Sequence, residues 1–196
     1  MIFFIQLLSS VSIFFIGYQL IRELDKEFMD AIRHKRWAVV MIGIYLFVIA
    51  FLNRQIDAGV GILGSFFWGS LALAAFCDYC TMEVYDLVYL PALVAGIMML
   101  STSPDVELTE LLIFVLVQAL LFRRLFGISD CIAFSVCALW MTSSGGTMLE
   151  YALHMGVTMF LLIVVQGSKG NINRKGNLKQ KVAMIPYIAV AMLFFQ

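Results

Sequence analysis

The sequence predicts an all-α fold: a polytopic transmembrane helical bundle of about eight spans with its N-terminus outside. Three observations predict it. Hydrophobic residues make up 62% of the chain, charged ones 13%, and the mean hydropathy is +0.96, against about 45–50% apolar and about 25% charged in a soluble globular domain. The apolar residues are gathered into runs separated by short polar turns. The Lys and Arg residues collect in alternate turns, as the positive-inside rule requires of a chain that crosses a bilayer repeatedly.

A spanning helix needs about 20 apolar residues. Residues 2–21 meet that, and residues 22–37 then carry nine charges plus His34 and belong in water. Residues 38–52 form a second run, ended by the polar turn 53–58. The third run, 59–77, is rich in Gly, Ala and Ser, small residues that let helices approach closely. An acidic stretch, 78–86, precedes the fourth run, 87–100, and a turn with Pro104 follows. Residues 108–122 are the fifth run, 123–130 a loop, and 131–142 a short sixth run. Residues 143–146 turn the chain into the seventh run, 147–166; the polar loop 167–181 leads to the eighth, 182–195. Short spans tilt less or thin the bilayer locally. The whole chain, 1–196, reads as one integral membrane domain, with neither repeat nor soluble module.

Orientation follows from charge. With the N-terminus outside, loops 22–37, 78–86, 123–130 and 167–181 lie inside and hold twelve of the thirteen Lys and Arg; only Arg54 is outside. Asp78 and Asp130 then share one face, the cytoplasmic one. The balance of charge, zero overall, shows no concentrated basic face of the kind a nucleic-acid binder needs. Reduced thiols are expected at Cys77, Cys80, Cys131 and Cys137, and the N-terminus lacks the basic start and cleavage site of a secretory signal.

An ionisable residue at the edge of a span is costly without a task or a partner. Asp78 and Asp130 each abut an apolar run and lie 52 residues apart. Two carboxylates brought together do not both ionise readily, and such a pair can hold a water between a general base and a general acid. A lone aspartate at such a place more often caps a helix or marks the water interface.

The segments around both residues resemble the type IV prepilin peptidases. Asp78 is followed by Tyr85-Asp86 and the apolar Leu87–Pro91; Gly127-Ile128-Ser129-Asp130 stands at the place of the Gly-X-Gly-Asp motif; and Ile185-Pro186-Tyr187 opens the closing run. The resemblance covers about residues 60–196. It implies a membrane aspartic endopeptidase with Asp78 and Asp130 as catalytic pair and Gly127 and Ser129 supporting the second carboxylate. It implies no cofactor, and as partners the lipid bilayer and a prepilin-like substrate with an N-terminal apolar helix, in a bacterial cytoplasmic membrane. Loop 22–37 contains no Cys and is too short for the cysteine-rich methyltransferase insertion of larger members, so the implied activity is peptidase alone, similar to the short peptidases of tight-adherence (Flp-type) pili. Ser129 replaces the motif's second Gly, and Ile132 stands where the family places Lys. Tyr85-Asp86 and Pro91-Ala92-Leu93 also echo the presenilin group, which makes Asp86 the rival first acid; its place at the mouth of the next helix suits an N-cap.

Other polar residues admit simpler readings. Cys77-x-x-Cys80 with Cys131 and Cys137 has the ligand count of a zinc site, but Cys137 falls within a run, so packing and no metal is the expectation. Glu150 and His154, four apart, are expected to satisfy each other on one helix face, and Glu110 to reach water at the outer end. Two further functions compete: an ion-coupled transporter using Asp78, Asp130, Glu150 and His154, and a non-catalytic pilus-assembly subunit, which Ser129 and Ile132 favour.

Overall fold

Each apolar run becomes a helix. The computed structural model describes residues 2–24, 35–55, 58–103, 108–171 and 181–195. Most of the two long basic loops and the Pro104 turn lie outside the described residues. Among the described residues there are eight α-helices and no strand: α1 Ile2–Leu24, α2 Arg36–Leu52, α3 Ala58–Thr81, α4 Leu90–Thr102, α5 Leu108–Leu120, α6 Ile128–Ser143, α7 Met148–Ser168 and α8 Ile185–Ala191. Short 3₁₀ segments precede α4 (Asp86–Tyr89), join α5 to α6 (Phe122–Arg124) and extend α8 (Met192–Phe194).

Two helices form the middle of the bundle. A helix apolar on every side has no solvent face to present, and α3 is such a helix: residues 67–78 are buried without interruption. It packs on α1, α2, α4 and α8. Gly69 permits its close approach to α1, since a Cβ there would stand 2.9 Å from the Ser10 carbonyl oxygen. The second is α6, which packs on α4, α5, α7 and α8. The sequence places this run at 131–142 as the shortest span; the helix is longer at both ends, and residues 136–143 are all buried. The outer helices expose large apolar side chains, among them Phe4, Phe15, Met41, Leu112, Leu116 and Phe160. Three helices, Ile2–Leu24, Gly59–Thr81 and Met148–Ser168, are long and apolar enough to cross a membrane.

Cross-links sort the helix ends into two groups. At one end Lys35 Nζ donates to the Tyr79 and Cys80 carbonyls, Asp78 meets the start of α8, and Tyr89 meets the start of α6. At the other, Gln6 Nε2 donates to the Asn53 carbonyl, Ser103 Oγ to the Ser143 carbonyl, and the Met148 amide to Glu110 Oε2. Successive helices therefore alternate in direction, and both aspartates come to the same end.

Two boundaries differ from expectation, and both involve a key aspartate. Asp78 lies in the last turn of α3, not in a loop: its carbonyl accepts the Met82 amide at 2.9 Å and Thr81 Oγ1 donates to the Cys77 carbonyl. The helix stops only where Met82 takes φ 59°, the left-handed conformation that ends many helices. Asp130 lies in the first turn of α6, which begins at Ile128 after Gly127 in extended conformation.

Candidate active site

Asp78 is supplied by the end of α3 and is 8% exposed. Its Oδ2 accepts the backbone amide of Ile185, the first residue of α8, at 2.8 Å. The first amides of a helix have no partner within it, and Pro186 in the first turn brings no amide of its own. Asp78 thus supplies an acceptor to α8 from another helix. It is not a cap of the helix to which it belongs. The bond holds one oxygen of the carboxylate at the start of α8.

Asp130 is held by its own loop. Its Oδ2 accepts the Gly127 amide at 3.1 Å. This is the returning half of a capping box; Gly127 has no side chain with which to complete it. A Cβ on Gly127 would lie 3.3 Å from Asp130 Oδ2, so glycine leaves the carboxylate room to fold back. Gly127 itself has φ −65°, which any residue adopts. The place for glycine here is set by space, not by backbone conformation. Ser129 is the second residue of α6 and its φ is negative. Nothing in the backbone there calls for glycine.

Asp130 stands near enough to Asp78 to act electrostatically on its carboxyl. Between the arms that carry them stands Tyr89, a residue with no place in the sequence motif. Its ring is buried and its hydroxyl donates to the Ser129 carbonyl oxygen at 3.2 Å. Both carboxylates act electrostatically on that hydroxyl. The sequence signal for it is slight: one aromatic with a polar tip beside a run, in Val88-Tyr89-Leu90.

Asp86, the rival acid, is exposed. Tyr85 occupies the N-cap position of the 3₁₀ segment without a side-chain cap bond, and Asp86 is its first residue. The expected N-cap role is therefore not the one it takes; a first-turn acid still favours the helix start through the positive end of its dipole. Asp86 lines a groove of about 720 Å³ between α4, α5 and α6 together with Tyr89, Arg123, Ile128 and Ile132. Asp78 and Asp130 stand outside that groove.

The other polar residues find local partners. Glu150 and His154 do not pair. Glu150 Oε2 accepts the Thr147 amide at 2.7 Å, a capping contact at the start of α7, because that start is close by and His154 is one turn deeper. His154, 1% exposed, makes a 3.1 Å hydrogen bond through Nε2 to the Ile188 carbonyl of α8, between the rings of Phe134 and Phe195. Glu110, half-buried, accepts the Met148 amide and shares the start of α7 with Glu150. All four cysteines are buried and free. Among the described residues no group of three or more His, Cys, Asp or Glu is placed to hold a metal ion.

Comparison with known protein families, with curated proteins and with solved structures gave no match. The site therefore consists of one well-buried carboxylate from a helix end and a second from a helix start, each accepting one backbone amide, with Asp130 acting electrostatically on Asp78.

Proposed function

We propose that this protein is a membrane-embedded aspartic endopeptidase that cuts the leader of prepilin-like substrates. The observation that carries the reading is that Asp78 and Asp130 lie at one end of the bundle, with Asp130 near enough to act electrostatically on Asp78, from helices joined through two intervening crossings. A pair that resists double ionisation keeps one ionised and one protonated member. The ionised carboxylate takes a proton from water as the water oxygen bonds to the scissile carbonyl carbon. The protonated one donates to the carbonyl oxygen. The C–N bond then breaks: the proton drawn from water leaves on the new amine, and one hydroxyl of the diol intermediate returns its proton to the carboxylate that had donated one, which leaves a carboxylic acid and restores the pair. No metal or organic cofactor enters these steps.

In this reading all eight helices cross the bacterial cytoplasmic membrane with the N-terminus outside. The shorter ones, such as Trp37–Leu52 and Ile128–Ser143, are served by local thinning. The same reading puts the loops that carry twelve of the thirteen Lys and Arg, and the two aspartates with them, at the cytoplasmic face, where a basic leader would enter while the substrate's apolar helix stays in the bilayer. The resemblance of Gly127-Ile128-Ser129-Asp130 and of Ile185-Pro186-Tyr187 to prepilin peptidases supports the substrate class.

The test is cleavage of a co-expressed prepilin. Asp78→Ala and Asp130→Ala should each abolish it with the protein still inserted; normal processing by both variants sinks the assignment.

A further inference from the structure

Tyr89 ends the 3₁₀ segment Asp86–Tyr89 and is 3% exposed. A buried tyrosine hydroxyl has to find a hydrogen-bond partner. The partner here is the Ser129 carbonyl, at 3.2 Å. That carbonyl belongs to the peptide group whose nitrogen is Asp130's own. On the other side, Asp130 Oδ2 holds the Gly127 amide. The first turn of α6 is thereby fixed at two points that bracket the carboxylate, one internal to the turn and one from outside. The outside one comes from the arm that leaves Asp78: the chain runs from the end of α3 at Thr81 through residues 82–85 directly into the segment that Tyr89 closes. The 3₁₀ segment also packs on α3 and on α6. A phenylalanine would fill the same space but make no such link.

We infer that Tyr89 is a positioning residue that sets the placement of Asp130 relative to Asp78, acting through the Ser129 carbonyl. The inference rests on the peptidase reading above. The hydroxyl is a tie between the two arms of the site, so its removal keeps both carboxylates and the ring but loosens the geometry between them.

The experiment uses the full chain in liposomes. The probe is a synthetic peptide with a basic leader, a Gly at the scissile position and an apolar helix of about 20 residues. Tyr89→Phe should lower kcat on the order of 10²-fold, the cost of a misplacement near 1 Å, with KM unchanged and the pH optimum displaced. Replacing Tyr89 by 3-fluorotyrosine keeps the hydroxyl and should restore kcat. Activity is normalised to folded protein measured by size exclusion and thermal unfolding. A Tyr89→Phe variant with wild-type kcat per folded molecule and an unmoved pH profile overturns the inference, as does a loss accounted for wholly by unfolding. Asp130→Asn separates the two levels. Its inactivity beside a fully active Tyr89→Phe sinks the role of Tyr89 alone. An active Asp130→Asn, or a wild type that leaves the probe intact, removes the peptidase reading and this inference with it.

Discussion

Asp78→Asn should abolish cleavage and leave the bundle folded, and Asp78→Ala should abolish cleavage and weaken the bundle as well. The contrast follows from the double role proposed for this carboxylate. Its Oδ2 accepts the Ile185 amide at 2.8 Å in a buried place. Asparagine offers an oxygen of the same shape. The bond changes from one involving a charge, worth about 1.5–3 kcal/mol, to a neutral one of about 0.5–1.5 kcal/mol. Opposing that loss of about 1 kcal/mol is the relief of no longer burying a charge, so the net change in stability is small. Alanine leaves the Ile185 amide without its acceptor, at about 1–3 kcal/mol, and frees the start of α8. Cleavage should fall about 10²–10⁴-fold in both variants, the share of rate that a general acid or base supplies. Thermal unfolding in detergent and cleavage of a prepilin-like peptide measure the two effects separately. Asp78→Asn with wild-type cleavage would show that the carboxylate is only an acceptor for α8. Asp78→Asn that fails to fold would show that its charge is structural.

Four other outcomes are expected. The pH profile of kcat/KM should be bell-shaped: at low pH both carboxylates carry protons and no base remains, and at high pH the shared proton is gone and no acid remains; a monotonic profile counts against a working pair. Met82→Gly should raise stability by about 1 kcal/mol, since Met82 is largely exposed and holds φ 59°, a conformation glycine adopts freely; an unchanged or lowered unfolding temperature refutes this. Ser129→Gly should bring no gain in activity and cost about 0.5 kcal/mol, because the residue is helical and glycine is the poorer helix former; a marked rise in kcat would show that the motif's glycine serves something other than backbone conformation. His154→Ala should destabilise by about 2–5 kcal/mol through a cavity between Phe134 and Phe195 and the lost bond to Ile188, read by thermal unfolding; a change within 1 kcal/mol, about the scale of one hydrogen bond, shows that α8 does not depend on it.

The number and order of helices were legible because each is a run of apolar residues long enough to register by composition alone. Helix ends were not, and for a definite reason. Composition puts Asp78 and Asp130 in loops, because a charge marks the water boundary. A helix is ended by its backbone, however, and at α3 that event is four residues further on, at Met82. The same gap explains Glu150 and His154. Spacing puts them on one helix face, but each is within reach of a backbone group that spacing does not reveal: the Thr147 amide in one case, the Ile188 carbonyl in the other. Tyr89 has only a slight signal in the sequence, because its position depends on which carbonyl its hydroxyl meets across 40 residues of chain.

A capping role and the proposed catalytic role are compatible at Asp78. A cap of its own helix would bind the carboxylate to α3 and turn it away from α6. The bond it makes instead runs to α8, the helix whose Ile185-Pro186-Tyr187 start formed part of the resemblance to prepilin peptidases. That helix is fixed further along by His154 at Ile188, by Tyr45, whose hydroxyl donates to the Ala189 carbonyl, and by Gln166 at the Tyr187 hydroxyl. Two other helices, α7 and α2, therefore hold α8 steady, and α8 in turn holds Asp78. If that chain of support orients the carboxylate, Tyr45→Phe, which removes one hydroxyl about one turn away from Ile185, should lower cleavage several-fold less than Asp78→Ala does and leave KM unchanged; wild-type kcat in Tyr45→Phe together with His154→Gln would show that α8 needs no such support to present its amide.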